Sequence, residues 1–94
     1  MQKNIATLLF SIALSGCAAI NQAEYIPKKV SFCQRPYVER RAEQEAAKGN
    51  HGTATRLYCD LGKYNEAKKQ LELWKKQNPN DFFIFQYENF LRKK

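Results

Sequence analysis

The chain is poor in the groups from which most enzyme sites are built. It has 94 residues but one histidine, one tryptophan, one methionine and three cysteines. No Ser-His-Asp set stands out, and a cysteine nucleophile would have to claim the sole imidazole, His51. A single histidine with two thiols also leaves a tetrahedral zinc shell incomplete. The four glycines never cluster into a phosphate-cradling loop. CxxC spacing, the mark of a redox dithiol, is missing. Long hydrophobic runs are missing too: residues 5–14 form an apolar run of ten, against about 20 needed to cross a bilayer. Residues 82–85 alone could make a strand, with no second strand to pair with. The carboxylates Glu39, Glu43, Glu45, Asp60, Glu66, Glu72, Asp81 and Glu88 all fit helix caps, first turns or solvated faces. The expectation is a protein that is not an enzyme and holds no cofactor and no metal.

What is present begins at the amino end. Lys3 supplies a short positive start, residues 5–14 an apolar core, and Ser15 and Gly16 small residues ahead of Cys17, the layout of a removable secretory signal. Leu14-Ser15-Gly16-Cys17 resembles a bacterial lipobox. That resemblance implies a diacylglycerol thioether on Cys17, cleavage between Gly16 and Cys17, and acylation of the new amino terminus. Three acyl chains exceed the single chain that gives only marginal attachment. In the sorting scheme of such lipoproteins an Asp after the acylated cysteine retains the protein in the inner membrane. Ala18 stands there instead, so the resemblance implies the outer membrane, with the domain facing the periplasm.

Removing residues 1–16 takes away one cation, Lys3, and leaves 78 residues with 15 Lys plus Arg against 9 Asp plus Glu, a net charge of +6. A chain of this length makes one small domain with little core. Cys33 and Cys59 remain, and an even pair in an oxidising periplasm is most simply a disulfide. The loop it would close, 27 residues counting both ends, is worth about 3 to 4 kcal/mol in the chain-entropy model. The basic charge would attract nucleic acid, but a periplasmic address makes that partner irrelevant. Anionic lipids, lipopolysaccharide phosphates or an acidic protein are the better candidates.

Residues 17–35 carry no helical stripe and read as a flexible tether after the lipidated end, with Lys28 and Lys29 within reach of lipid head groups. From Pro36 the pattern turns helical, giving an α-helical domain over residues 36–94. Pro36 and Gly49 bracket a helix over 36–48 with small apolar residues at Val38, Ala42 and Ala46. Asn50 and Gly62 bracket a second, with Ala54, Leu57, Tyr58 and Leu61 on one face and Gly52 weakening its first turn. A third, over 64–78, aligns Tyr64, Ala67, Leu71 and Trp74 and pairs Glu72 with Lys76 before Pro79. Asp81 caps a fourth whose stripe is Phe83, Tyr87, Phe90 and Leu91. The fold class is therefore all-α, a bundle of about four short helices.

Residues 48–81 span 34 positions, the length of a tetratricopeptide repeat. Tyr58, Gly62, Tyr64, Ala67 and Pro79 occupy the aromatic, turn, aromatic, small crossing and terminator positions, and this segment resembles that repeat. Gly62-Lys63-Tyr64-Asn65-Glu66-Ala67 is the sharpest part. Ala46-Ala47-Lys48-Gly49-Asn50 also resembles the related Sel1-like repeat. Two positions depart from the pattern: Thr55 stands where glycine or alanine is usual, and bulky Trp74 replaces a second small residue. The resemblance implies a helical-hairpin scaffold that binds other proteins.

Five aromatics fall within residues 82–90: Phe82, Phe83, Phe85, Tyr87 and Phe90. One short helix cannot bury residues around its whole girth against a single layer, so part of this cluster is expected to contact an envelope protein or a second copy of the chain. The functional expectation is a lipid-anchored adaptor or scaffold in an envelope assembly or secretion complex. The alternative is a small basic lipoprotein with a structural or membrane-perturbing role.

Overall fold

The computed structural model describes residues 23–94. The expected signal segment, the expected cleavage site at Gly16–Cys17 and the expected lipidation residue Cys17 lie outside the described residues. Four helices follow in order: α1 Arg35–Ala47, α2 His51–Leu61, α3 Tyr64–Gln77 and α4 Ile84–Arg92. There is no strand among the described residues, and residues 82–85 lead into α4.

The turns between the first three helices follow from glycine. Gly49 and Gly62 adopt φ of 86° and 77°, a left-handed conformation open to a residue without Cβ. After α1, the N–H groups of Gly49 and Asn50 return to the carbonyls of Ala46 and Glu45; after α2, those of Gly62 and Lys63 return to Cys59 and Tyr58. Both are Schellman closures, which satisfy the last carbonyls and reverse the chain within a few residues. Successive helices therefore run antiparallel. α2 lies in the middle, packed on α1 and α3, and α4 lies chiefly on α3. Ala42, Ala54 and Ala67 are fully buried at these contacts, and Leu57, Leu61, Leu71, Trp74, Ile84, Tyr87, Phe90 and Leu91 complete one contiguous core.

Several local expectations are corrected. Asn50 precedes α2 as expected, but its side chain makes no cap bond; its amide donates to Glu45 Oε2 at 2.6 Å. The partner of Glu72 is Lys75, at 3.7 Å, not Lys76. α4 starts after Phe83, so Ile84 takes the core position expected of Phe83, and Phe83 points outward, 58% exposed. Asp81 does act at this start: its Oδ1 accepts from the Phe83 N–H at 3.0 Å.

The expected tether is a packed strap from residue 23 onward. Tyr25 stacks on Tyr87 with centroids 4.5 Å apart and meets Phe90 edge-on. Its N–H donates to the Gln86 carbonyl at 3.0 Å, and its hydroxyl donates to Asp60 Oδ1 at 2.6 Å. The same carboxylate oxygen accepts the Lys28 N–H at 2.9 Å, so Asp60 is no solvated-face residue. An aromatic ring with a hydroxyl aimed at a carboxylate holds an extended segment without helical periodicity.

The Cys33–Cys59 bridge is not formed, and both thiols are free. Cys59 is buried inside α2, and Cys33 is exposed on the turn before α1. Burial pushes the Cys59 thiol up to about 12, as expected for a sulfur among apolar neighbours. What the bridge was expected to clamp is held instead by Tyr25 and by Arg35, whose Nη2 donates to the Leu61 carbonyl at 2.8 Å.

The antiparallel order gives the bundle two distinct ends. One, the strap end, gathers the start of α1, the end of α2, the start of α3 and the end of α4: Glu39 pairs with Lys63, and Tyr64 packs edge-on against Phe90 at 5.7 Å. The other gathers the end of α1, the start of α2, the end of α3 and the start of α4: Gln77 Nε2 donates to the Gly49 carbonyl at 3.1 Å, and Trp74 lies against Gly52.

Candidate functional site

A groove of about 670 Å³ opens at this second end. One wall is the first turn of α2, residues 51–53, whose N–H groups precede the first intrahelical bond, that of Ala54 to Asn50. The opposite wall is the end of α3 and the turn through Asn78 and Asp81, and Trp74 and Tyr87 form the apolar part of the lining. Arg56, one turn further along α2, lines the groove and has no hydrogen bond or ion pair among the described residues.

These side chains are held in place from behind. Asp81 Oδ2 accepts from Trp74 Nε1 at 3.1 Å while its Oδ1 caps Phe83, so one carboxylate fixes both the indole and the entry to α4. Tyr87 sits edge-on to Trp74 with centroids 5.4 Å apart. Burial pushes the Tyr87 phenol up to about 12, with a smaller opposing effect from the nearby Arg56 charge. His51 Nδ1 donates to Gln70 Oε1 at 2.7 Å, tying α2 to α3. Thr55, fully buried, donates its hydroxyl to the His51 carbonyl at 2.7 Å. That bond explains how a hydroxyl is accommodated where a smaller residue was expected.

Outside the groove mouth, three phenylalanines face solvent: Phe82 is 51% exposed, Phe83 58% and Phe85 53%. Phe83 also lines the groove, and Phe82 and Phe83 meet edge-on at 6.1 Å. The aromatic cluster therefore divides. Tyr87 and Phe90 are buried core residues, a correction to their placement among the contact residues, because they lie one turn apart on the α4 face that covers α3. Phe82, Phe83 and Phe85 remain available. These three stand out in the sequence; Arg56 and the groove do not, because the groove walls come from segments about 25 residues apart along the chain.

Among the described residues there is no group of three His, Cys, Asp or Glu placed to hold a metal. Nor is any helix among them long and apolar enough to cross a membrane. No protein family, no curated protein and no solved structure matches this chain.

Proposed function

We propose that the chain is an outer-membrane-anchored periplasmic lipoprotein, whose helical domain is a small protein-interaction adaptor in a cell-envelope assembly or secretion complex. The observation that carries this reading is the exposure of Phe82, Phe83 and Phe85, with Phe83 lining an open groove, in a domain where Tyr87 and Phe90 are buried. Three phenylalanines within four residues left in water, two of them with rings in contact, mark an interface. Phe83 lines the groove and Phe82 meets it edge-on, a shape suited to an apolar side chain of a partner segment, with Arg56 and the α2 amides in the same groove for its polar groups.

Two further features support the reading. The lipobox resemblance at Cys17 supplies the anchor and confines the domain to a surface, which raises its effective concentration for partners held there. The turn glycines Gly49 and Gly62 and the small crossing residues Ala54 and Ala67 support a tetratricopeptide-like relationship, a scaffold that presents surfaces and carries out no chemistry.

The test combines palmitate labelling of the whole protein with affinity purification of wild type and of Phe82→Asp/Phe85→Asp from membranes. The expected result is acylated protein, a stoichiometric companion with the wild type, and loss of that companion in the variant with helical circular dichroism intact. Lysis on overexpression without any companion would favour the membrane-perturbing alternative, and failure of palmitate to incorporate would remove the anchor.

A further inference from the structure

The strap end has its own exposed apolar residues, and their setting differs from that of the groove end. Ile26 is 83% exposed and Phe32 89%, and Tyr37 on the first turns of α1 is exposed as well. None of these is on a loose segment. Tyr25 is clamped between Tyr87 and Asp60 on one side of them, and Arg35 is bonded to the Leu61 carbonyl on the other. The segment is thus held at both ends on the bundle with its apolar residues turned outward.

Charge along the strap itself is one-sided. Between Glu24 and Glu39 the sequence has no acidic residue. Most acids at this end are occupied: Glu24 by Lys93 at 3.0 Å, Glu39 by Lys63, Glu66 by Lys69 at 3.7 Å, and Asp60 by the Tyr25 hydroxyl and the Lys28 N–H; Glu43, on α1, adds its charge near Lys63. The side chains of Lys28, Lys29 and Arg92 have no ion-pair partner among the described residues, and all three are exposed. Apolar side chains interspersed with uncompensated cations fit the boundary between acyl chains and anionic head groups.

Chain length brings the two together. From Cys17 to Ala23, the first described residue, there are six Cα steps, which reach at most about 22 Å when fully extended. Ala23 itself is fixed, its carbonyl accepting from Asn89 Nδ2 at 2.9 Å. Resting on the reading that Cys17 is acylated, we infer that the strap end, through Ile26, Phe32, Tyr37, Lys28 and Lys29, docks on a lipid surface bearing anionic phosphate head groups. The bundle then stands with its groove end directed away from the membrane, where a partner can reach Phe82, Phe83 and Phe85.

Cys33, next to Phe32, is a natural reporter because it is exposed while Cys59 is buried. The whole acylated protein is labelled there with an environment-sensitive maleimide fluorophore and reconstituted in vesicles of phosphatidylethanolamine and phosphatidylglycerol containing a brominated lipid. The same label placed at the groove end, in Cys33→Ser/Phe85→Cys, is the comparison. The expected result is quenching at Cys33 at least threefold stronger than at position 85, falling by at least half in Lys28→Glu/Lys29→Glu and in vesicles of phosphatidylcholine alone. Equal quenching at both positions, or none, in protein that carries palmitate overturns the docking and leaves the anchor standing. Energy transfer between differently labelled copies in place of lipid quenching assigns this face to a second copy and overturns it as well. Protein without palmitate overturns the anchor, and the docking with it.

Discussion

Gly52 and Trp74 form a complementary pair across the α2–α3 contact: a Cβ built at Gly52 would lie 3.0 Å from the indole Cε2. Each departs from expectation alone, a glycine in the first turn of a helix and a bulky ring where a small residue is usual. Together they exchange sizes across one contact, the absent side chain making room for the large one. The ring has little freedom to retreat, since it is buried, rests edge-on against Tyr87 and is bonded to Asp81.

Gly52→Ala therefore sets two effects against each other. Alanine gains about 1 kcal/mol of helix propensity, and the overlap with a fixed ring costs about 1 to 3 kcal/mol. The net expected outcome is destabilisation by about 1 kcal/mol, read as a lowered urea midpoint together with a shift in the emission of the single tryptophan. The paired variant Gly52→Ala/Trp74→Leu is expected to lose less than the sum of the two single changes.

The strap is tested at Tyr25. Tyr25→Phe removes the donor to Asp60 and is expected to cost about 1 to 2 kcal/mol, because the lost bond is to a charged acceptor. Tyr25→Ala also removes the stack on Tyr87 and is expected to cost more. Amide hydrogen exchange distinguishes a packed strap from a loose tether: the Tyr25 and Lys28 amides are protected in the wild type and lose protection in Tyr25→Ala.

The helices were more legible in the sequence than the strap. Gly49, Gly62 and Pro36 mark boundaries by backbone restrictions that act locally, and the α2 and α3 stripes repeat at helical spacing, so α1 to α3 were placed within a residue of their observed ends. The start of α4 was harder: Asp81 signals it, but one residue of offset exchanges Phe83 for Ile84 on the buried face. Residues 23–34 carry no periodicity at all. Their order comes from Asp60, Gln86, Tyr87 and Asn89, dozens of residues away, and pairing over such separations leaves no local trace. The groove was hidden for the same reason. The Cys33–Cys59 bridge was inferred from parity and compartment, and neither carries the geometry that decides pairing.

Thiol chemistry checks that correction. In native protein a maleimide is expected to react quickly at Cys33 and only after unfolding at Cys59. A disulfide would leave both unreactive until reduction.

Cys59 also contributes to the loss of stability at alkaline pH. Its folded value of about 12 lies above the ordinary value of 9.0, so the unfolded chain releases this proton first as pH rises. The buried neutral thiol contributes its full stability below pH 9, and the contribution is lost between pH 9 and about 12, at up to about 1.4 kcal/mol per pH unit. Tyr25, Tyr58 and Tyr87 are raised in the same direction from 10.0, burial being the largest cause for each, and they join above pH 10. Cys59→Ala is expected to be less stable at pH 7 yet flatter between pH 9 and 10, as urea midpoints across that interval will show.

The division of the aromatics within residues 82–90 predicts opposite responses. Tyr87→Ala and Phe90→Ala each empty a buried site and are expected to cost about 3 to 5 kcal/mol, enough to unfold a marginal domain. Phe82→Asp and Phe85→Asp are surface changes expected to stay within about 0.5 kcal/mol of wild type. Thermal melts followed by circular dichroism separate the two groups.

The exposed phenylalanines at the groove end are proposed to face a protein partner. A photo-crosslinking amino acid at position 85, activated in intact cells, tests this most directly. The expected result is one dominant protein adduct of fixed mass at position 85, lost when Phe82→Asp is added, and no such adduct from the same probe at the exposed α1 position 40. A spread of weak adducts equal at both positions, or none at position 85, would contradict it.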